Sequence, residues 1–341
     1  MEILVTGGNG FLGRHLIPRL LERGHRVRVL ALEAEETLWL EARGVPVHRG
    51  DVRRAETLCV PMRRVEAVIH LAAMQDVWRP LAEYRAVNVA GTAHVCREAL
   101  AAGVQRLVHV SSSSVYGLGG GAALTEASPL VAFPDPYAIT KAEADRLVQR
   151  MIRDEALPAV IIRPAQIFGP GDSVHFAQMA ERLRAGRGLV VGSGRNRVPF
   201  VYVTDAVQAL LLALENQQAV GGAFNLAHDD PLTQAELLRT IAEQIGAPPP
   251  HLHLPFSALY AAGWAAERVA LLRGAGRRPP LTRFGVAFLG ADTRLSIEAA
   301  RSRLGFRPEV PLREGVRRAA AWYLRGRPLP DGARAAPGQV Q

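Results

Sequence analysis

The stretch Ile3-Leu4-Val5-Thr6-Gly7-Gly8-Asn9-Gly10-Phe11-Leu12-Gly13 decides the fold. Its apolar first half predicts a buried parallel strand, and helical periodicity follows its last glycine. Gly7 makes the tight turn, Gly10 allows backbone to approach a pyrophosphate, and Gly13 allows helix and strand to pack closely. A second strand over residues 26–30 supplies the required context. The stretch therefore predicts a doubly wound α/β sheet that binds a dinucleotide at a helix N-terminus.

A glutamate and an arginine bear on which dinucleotide is bound. An acid at the end of the second strand bonds the ribose hydroxyls of NAD, whereas an arginine accommodates the 2′-phosphate of NADP. Glu33 lies just beyond that strand and favours NAD if it turns inward, while Arg14 can reach a phosphate. The sequence leaves NAD and NADP open, with NAD slightly favoured.

Three later features extend the predicted cofactor site. Asp51, which precedes Val52 after a short strand, either accepts a bond from the adenine amino group or caps a turn. Residues 68–73 form a buried strand ending in Leu71-Ala72-Ala73, where a cofactor can pass. Asn88 needs buried partners, so it either ties backbone together near the site or has no special role.

The sequence Tyr137-Ala138-Ile139-Thr140-Lys141 carries the predicted chemistry. On a helix, a tyrosine and a lysine four residues later share one face. A phenol has a pKa of about 10 in water, and a nearby ammonium lowers that pKa and allows proton exchange with an alcohol or ketone. Of the 41 Lys and Arg residues, Lys141 is the only lysine. Because arginine does not replace a compact, tunable ammonium, this favours a chemical role over an ordinary helix surface.

Hydroxyl groups are predicted beside this pair. A strand over residues 104–110 runs into Ser111-Ser112-Ser113-Ser114, and open α/β sheets bind ligands at the carboxyl ends of their strands. We expect one of these hydroxyls to bond the reacting oxygen next to Tyr137.

Further along the chain, Thr204 and Asp205 are expected to cap a helix over residues 206–214.

The composition disfavours several classes of protein. The net charge is +9, but the arginines are scattered, which favours solvated helix faces over a nucleic-acid surface. No segment reaches the roughly 18 uncharged apolar residues of a membrane span. Cys59 and Cys96 have no metal-site or disulfide spacing, and no secretory signal is visible, so we expect a cytoplasmic protein without a metal.

An ordered set of motifs resembles the extended short-chain dehydrogenase/reductase family, also called the NAD-dependent epimerase/dehydratase family. The resemblance covers roughly residues 1–325, and the order and spacing of the motifs are highly specific. The motifs are Thr6-Gly7-x-x-Gly10-x-x-Gly13, Asp51-Val52, Asn88-x-x-Gly91-Thr92, the serine run before Val115-Tyr116-Gly117, Tyr137-x-x-x-Lys141, Arg163-Pro164 and Asp205.

The resemblance implies hydride transfer between a substrate carbon and the nicotinamide. It makes Tyr137 the acid/base, Ser112 the catalytic hydroxyl, and Lys141 the group that holds the nicotinamide ribose and lowers the tyrosine pKa. The implied cofactor contacts are Gly7, Gly10, Phe11, Leu12, Gly13, Asp51, Val52, Leu71, Ala72, Ala73, Asn88, Tyr137, Lys141 and Pro164. The implied substrate contacts are Ser113, Ser114 and Gln166.

The resemblance also implies a Rossmann-type doubly wound parallel sheet with a smaller C-terminal substrate-binding lobe. Residues 1–165 would form the NAD(P)-binding domain, and residues 199–227 would return to it. Residues 166–198 and 228–330 would form the lobe, followed by a flexible tail over residues 331–341. Members of the family act on small molecules and are often homodimers.

Departures from the family pattern favour one branch. The dehydratases carry Asp-Glu after the catalytic hydroxyl, where this chain has Ser113-Ser114. The UDP-sugar epimerases carry Arg-Asp where this chain has Val198-Pro199, and burying a diphosphate without charged donors is costly. The apolar segment over residues 254–272 instead resembles the 3β-hydroxysteroid dehydrogenase-like branch, which handles apolar alcohols and ketones. That segment is equally consistent with lobe core and with a substrate or membrane-surface role.

The predicted function is NAD(P)-dependent interconversion of a secondary alcohol and a ketone on a largely apolar small molecule. The alternative is a nucleotide-sugar 4-epimerase, which uses the same tyrosine and cofactor but returns the hydride to the opposite face. The lesser alternative is a non-catalytic cofactor-sensing protein, which has no need to keep Tyr137, Lys141 and Ser112.

Overall fold

Seven parallel strands form the central sheet of the computed structural model, which describes residues 1–117, 119–273 and 279–326. They are β1 (Glu2–Thr6), β2 (Arg26–Ala31), β3 (Val47–Arg49), β4 (Ala67–His70), β5 (Arg106–Val110), β7 (Ala159–Pro164) and β11 (Ala223–Leu226). Their order is β11-β7-β5-β4-β1-β2-β3, so the direction of winding reverses between β1 and β4. Doubly wound sheets bind cofactors at this point, and the predicted Rossmann-type sheet is confirmed.

Alternating side chains of the strands build a core on each face of the sheet. Ile3 and Val5 of β1 pack in one core with residues of α1 (Phe11–Glu22) and α7 (Val203–Glu215). Leu4, which points the opposite way, packs in a second core with residues of α4 (Thr92–Ala101) and α5 (Pro136–Glu155). Both faces are therefore covered, as a parallel sheet requires.

A second group of elements forms the lobe. Its helices are α6 (Phe176–Arg184), α8 (Gln234–Gln244), α9 (Phe256–Leu272), α10 (Arg283–Gly290) and α11 (Leu312–Leu324), and Phe176, Leu237 and Val316 share a separate core. Three short parallel pairs join β6 (Ala123–Leu124) to β13 (Arg294–Leu295), β8 (Gln166–Phe168) to β10 (Phe200–Tyr202), and β9 (Leu189–Val191) to β12 (Leu252–Leu254). Two short helices, α2 (Leu38–Glu41) and α3 (Leu81–Arg85), lie in the first half of the chain.

The predicted helix cap at Thr204 and Asp205 is wrong. The helix α7 begins at Val203, three residues before the predicted start at residue 206, and no side chain of the described residues caps it. Asp205 lies in its first turn, where its carboxylate accepts hydrogen bonds from the backbone N–H groups of Glu309 and Val310 at 3.2 and 3.3 Å. The acid therefore fixes the segment that precedes α11 to the sheet layer.

Two other expectations concern membrane-spanning helices and the C-terminal residues. None of the helices in the described residues combines the length and the apolar character that crossing a bilayer demands. The expected flexible tail over residues 331–341 lies outside the part of the chain that the structure describes, as does the end of the expected lobe, residues 327–330.

Candidate active site

The glycine-rich loop joins β1 to α1 and packs against the residues that follow β4. Gly7 has a φ of +68°, and a Cβ on it would lie 2.6 Å from the backbone nitrogen of Ala72. A Cβ on Gly13 would collide with the carbonyl oxygen of Gly8. Gly10 precedes the first turn of α1, which no side chain caps. The loop thus offers uncapped backbone N–H groups at a helix N-terminus, which fits the pyrophosphate of a dinucleotide.

An acid that the sequence did not single out lies at the end of β2. Glu33 is exposed, whereas Glu35 turns inward, and its carboxylate is hydrogen-bonded to the side chain of Asn9. Burial raises the pKa of Glu35. Arg14 donates to the backbone and side-chain oxygens of Asn9 at 2.9 and 2.8 Å, and its guanidinium lies over the ring of Trp39 at 4.9 Å. A carboxylate and a guanidinium therefore meet at this edge of the cofactor cleft.

Two other predicted cofactor residues are held by local bonds. The carboxylate of Asp51 accepts from the backbone N–H and the guanidinium of Arg53, at 2.9 and 2.8 Å. Asn88 exchanges hydrogen bonds with the backbone of Met74 at 2.7 and 3.1 Å and donates to the Thr140 hydroxyl at 3.0 Å. Asn88 therefore ties the loop after β4 to α5, which was one of the two roles expected for it.

Local sequence explains how α5 presents the predicted acid/base pair. Asp135 accepts from the backbone N–H of Tyr137 at 3.0 Å and caps the helix, while Pro136 takes the first helical position. Tyr137 is half-buried, and Lys141 is only 4% exposed. The Lys141 Nζ donates to the carbonyl oxygen of Val110, the last residue of β5, at 2.6 Å. Both side chains thus lie at the carboxyl end of the sheet.

The lowered tyrosine pKa that was expected from the lysine is not found. Burial raises the pKa of Tyr137, and the nearby Asp76 and Asp135 raise it further, while the hydrogen bond with Ser112 opposes them. The Lys141 ammonium bonds the Val110 carbonyl oxygen instead of the phenol. Burial lowers the pKa of Lys141 to about 8, against the opposing charge of Asp145. The direction of this shift keeps the Tyr137 phenol in its protonated form at neutral pH.

The predicted substrate residues are only partly brought together. Ser112 is hydrogen-bonded to the Tyr137 hydroxyl, and its Oγ also accepts from the backbone N–H of Ser114 at 3.2 Å. Ser113 and Ser114 are half-buried in a 3₁₀ turn, and the Ser114 Oγ is buried without a hydrogen-bond partner. Gln166 begins β8, where its amide donates to the Ile167 carbonyl oxygen at 3.2 Å.

The positions of the remaining predicted cofactor residues in the fold are as follows. Phe11 and Leu12 open α1, and Pro164 ends β7. Leu71, Ala72 and Ala73 follow β4 and are half-buried. A Cβ on Gly91 would lie 2.7 Å from a methyl group of Val52, so this glycine makes room for that side chain.

Asp145, whose charge acts on Lys141, forms a buried ion pair with Arg163. Asp145 accepts from the Arg163 guanidinium at 2.8 and 2.7 Å and from the Ser111 hydroxyl at 2.6 Å. Arg163 also donates to the Tyr116 hydroxyl at 2.8 Å, and that hydroxyl donates to Asn225 at 2.7 Å. Both charged groups are fully buried. The sequence pointed to Arg163 through a motif, but it gave no sign of its partner.

We expect Asp145→Asn to lower the free energy of unfolding by about 3–5 kcal/mol, because it leaves the Arg163 charge buried and uncompensated. The matched control is Glu143→Gln on the same helix, which breaks the exposed pair with Arg85. An exposed pair of this kind contributes about 0–1 kcal/mol. Urea unfolding of both variants measures the difference, and equal effects would show that the buried pair is not structural.

A second ion-pair cluster faces the tyrosine from the lobe. The Nε2 of His175 lies 3.3 Å from a carboxylate oxygen of Asp76, and its Nδ1 lies 3.7 Å from Asp172. Burial would lower the pKa of His175, but the two carboxylates raise it to about 10. Asp76 follows β4 and His175 precedes α6, so the charged pair joins the cofactor loop to the lobe beside Tyr137. Sequence patterns gave no signal for this contact.

Comparison with known proteins agrees with this geometry. The profile of the NAD dependent epimerase/dehydratase family matches residues 3–227. The chain is 37% identical to the 2-alkyl-3-oxoalkanoate reductase of Stenotrophomonas maltophilia, over 94% of this chain and 99% of that protein. It is 30% identical to the 3 beta-hydroxysteroid dehydrogenase/Delta 5→4-isomerase of Mycobacterium tuberculosis, over 95% of this chain and 90% of that protein.

Solved structures show the same architecture. The UDP-glucose 4-epimerase of Thermus thermophilus, in complex with NAD, superimposes with a TM-score of 0.75 at 26% identity. The superposition covers 95% of this chain and 99% of that one. Reductases, dehydrogenases and epimerases are thus all represented among the similar proteins.

Proposed function

The chain belongs to the NAD dependent epimerase/dehydratase family, and we propose that within this family of enzymes it is a ketoreductase for a largely apolar small molecule. The observation that carries the proposal is the protonated Tyr137 phenol, hydrogen-bonded to Ser112 one helical turn from the chain's only lysine. These three groups lie at the carboxyl end of the sheet, next to the glycine-rich loop.

In this proposal, the chain's own residues position the ketone and supply its proton. The bound nicotinamide cofactor supplies the hydride. Ser112 and Tyr137 hydrogen-bond the substrate oxygen, and the phenol gives up its proton as negative charge develops on that oxygen. Lys141 holds the nicotinamide ribose and offsets the charge left on the phenolate. Asp145, in turn, favours the ammonium form of Lys141.

The protonation state of Tyr137 fits the role of acid in ketone reduction. An acid catalyst must carry its proton at the working pH, and a raised pKa keeps this phenol protonated. The reverse reaction, alcohol oxidation, uses the phenolate as base. The ratio of reduced to oxidised cofactor then sets the net direction.

For the cofactor, we propose NAD rather than NADP. The carboxylate of Glu35 lies at the ribose edge of the cleft and is suited to accept bonds from ribose hydroxyls, whereas it would repel a 2′-phosphate. Arg14 is the opposing feature, and both it and Glu35 bond Asn9. The Glu35 carboxylate has further lone pairs for a ribose hydroxyl, whereas the Arg14 guanidinium is stacked on Trp39. The acid is therefore expected to decide the preference.

Glu35→Gln is expected to shift the ratio of kcat/KM values from NADH toward NADPH by about tenfold, because it removes the repulsion between the carboxylate and the 2′-phosphate. A tenfold change corresponds to about 1.4 kcal/mol. Glu36→Gln is the matched control, since its side chain is exposed. Initial rates with both reduced cofactors measure the change. An unchanged ratio in Glu35→Gln would mean that another residue sets the preference.

The lobe supports an apolar substrate. A row of aromatic rings runs from β8 through the lobe toward the catalytic helix, with centroid distances of 5.7, 6.2, 6.4 and 5.7 Å. In order, the rings are Phe168, Phe200, Phe288, Phe284 and Phe133. Phe133 lies four residues before Tyr137, and Val198, where the epimerases carry a cation, is completely buried. Such surroundings suit an alkyl chain or a ring system better than a diphosphate.

The second candidate is a nucleotide-sugar 4-epimerase, which the likeness to the NAD-bound epimerase structure favours. The deciding experiment incubates the protein and NADH with a long-chain 2-alkyl-3-oxo acid or a 3-oxosteroid, and separately with UDP-glucose and NAD. The proposal expects NADH consumption with an apolar ketone and no UDP-galactose. Formation of UDP-galactose without ketone reduction would replace the proposal with the epimerase.

A further inference from the structure

Exposed apolar side chains are concentrated in one segment of the lobe. Of the fourteen large apolar side chains that are exposed in the described residues, six lie within residues 252–272, namely Leu252, Phe256, Trp264, Val269, Leu271 and Leu272. Leu272 is 87% exposed and Trp264 is 48% exposed. A contiguous exposed apolar patch marks a contact site, whereas scattered single residues do not.

The segment is unusual because α9 is apolar on its outer face as well as on its inner one. Its buried face consists of Leu259, Gly263, Glu267 and Ala270. The exposed positions over residues 261–272 carry Arg268 and otherwise apolar residues, namely Ala261, Ala262, Trp264, Ala265, Val269, Leu271 and Leu272. A surface helix of a globular protein carries charged and polar residues at such positions. The outer face of α9 is therefore built to contact something apolar.

The charge around this face is positive. Arg268 lies over the ring of Trp264 at 5.5 Å, and Arg273 follows the last turn of the helix. The only acid in residues 251–273 is Glu267, which is buried and bonded to Arg283 at 2.7 Å. The sequence continues with Arg277 and Arg278, beyond the described part of the segment. An apolar face with tryptophan and an arginine rim is typical of helices that lie in the surface of an anionic bilayer.

The inner side of the same helix contacts the catalytic region. Tyr260 packs edge-on against Phe133, with ring centroids 6.5 Å apart, and Phe133 lies just before the helix that carries Tyr137. A second copy of the chain is a poorer occupant of the outer face, because the exposed Arg268 and Arg273 would find no exposed acid within residues 251–273 of the other copy to pair with them. An anionic lipid surface satisfies the apolar and the charged parts of the face at once.

We propose that the outer face of α9 binds an anionic phospholipid surface, and that the apolar ketone of the proposed function reaches the site from that surface. The face covers the side of the lobe whose inner rings lead to Tyr137. A substrate that partitions into lipid then has a short path to the site. The inference about binding rests on the exposed face, and only the path rests on the proposed function.

The test is co-sedimentation of the full chain with vesicles of phosphatidylcholine alone or of equal parts phosphatidylcholine and phosphatidylglycerol. We expect binding to the mixed vesicles and little binding to phosphatidylcholine alone. The double variant Trp264→Ser, Leu272→Ser should bind the mixed vesicles at least tenfold more weakly, and Arg268→Glu should lose most of the preference for phosphatidylglycerol. The control is Val60→Ser, which removes an exposed valine between β3 and β4 and should bind like the unaltered protein.

Two readouts separate lipid contact from self-association of the chain. Brominated phosphatidylcholine in the mixed vesicles should quench the tryptophan fluorescence of the protein, and Trp264→Phe should lose that quenching. Sedimentation velocity should give the same mass for the protein and the double variant. A mass that falls in the double variant, or equal vesicle binding by both proteins, would overturn the proposal.

The activity assay keeps this inference distinct from the proposed function. If the protein does not bind vesicles but reduces detergent-dispersed ketone, the proposed lipid contact is wrong and the proposed ketoreductase function is retained. If vesicles are bound but no ketone is reduced in any form, the proposed ketoreductase function is wrong and the lipid contact of α9 is retained. Where both hold, the double variant should reduce a vesicle-embedded ketone several-fold more slowly than a dispersed one.

Discussion

Tyr137→Phe is expected to lower the rate of ketone reduction by about 10²–10⁴-fold, the range contributed by a positioned general acid. The change removes one oxygen and leaves the half-buried ring in place, so folding and cofactor binding should persist. Because the phenol is the proton donor in this account, the reduced substrate oxygen would have to take its proton from water. Single-turnover measurement of NADH oxidation after mixing with the ketone isolates this step.

Two controls accompany this variant. Tyr323→Phe removes a phenol from α11 in the lobe core and should leave turnover unchanged. Titration with NADH, followed by fluorescence, should show that Tyr137→Phe binds cofactor within a few-fold of the unaltered protein. Turnover close to normal in Tyr137→Phe would remove this residue from the reaction.

Lys141→Arg is expected to lower turnover by about 10²-fold, although it keeps the positive charge. The Lys141 side chain is buried, and its Nζ bonds the Val110 carbonyl oxygen at 2.6 Å, a contact made by a compact ammonium that a larger, planar guanidinium does not reproduce. Lys141→Met removes the charge without adding volume and should be similarly impaired. Because Lys141→Met adds no bulk, its impairment could not be attributed to a larger side chain and would show that the ammonium itself is needed.

The pH dependence of the unaltered protein provides a further check on the lysine. Burial lowers the pKa of Lys141 to about 8, so the ammonium form is lost as the pH rises through that value. If the ammonium is required, kcat for reduction should fall above about pH 8, and Lys141→Arg should lack this decline. A rate that stays constant to high pH in the unaltered protein would contradict the proposed role.

Local patterns in the sequence were sufficient for the sheet and for the cofactor loop. The strand, the glycines and the helix of residues 3–13 are adjacent in the chain, so their relation does not depend on distant contacts. Tyr137 and Lys141 lie one turn apart on α5, so the helix alone brings them to one face. Both features were correctly anticipated for this reason.

Features that depend on distant contacts were missed. Glu35 turns inward because Arg49 donates to the carbonyl oxygens of Leu32 and Glu35 and so folds the loop after β2. Asp76 and His175 are far apart in the sequence and meet only when the lobe packs on the cofactor domain. The tyrosine pKa was expected to fall because the sequence shows its neighbours along the helix but not how deeply the phenol is buried.

Transfer of deuterium from NADH to a ketone is the most direct test of the proposed reductase activity. The protein is supplied with NADH that carries deuterium at the transferable position of the nicotinamide, together with a long-chain 2-alkyl-3-oxo acid, and the product is examined by mass spectrometry. We expect one deuterium on the carbon that bears the new hydroxyl group, and we expect Tyr137→Phe to lose this product. An epimerase returns the hydride to its own substrate, so conversion of UDP-glucose to UDP-galactose, with no deuterium passed to any ketone, would contradict the account.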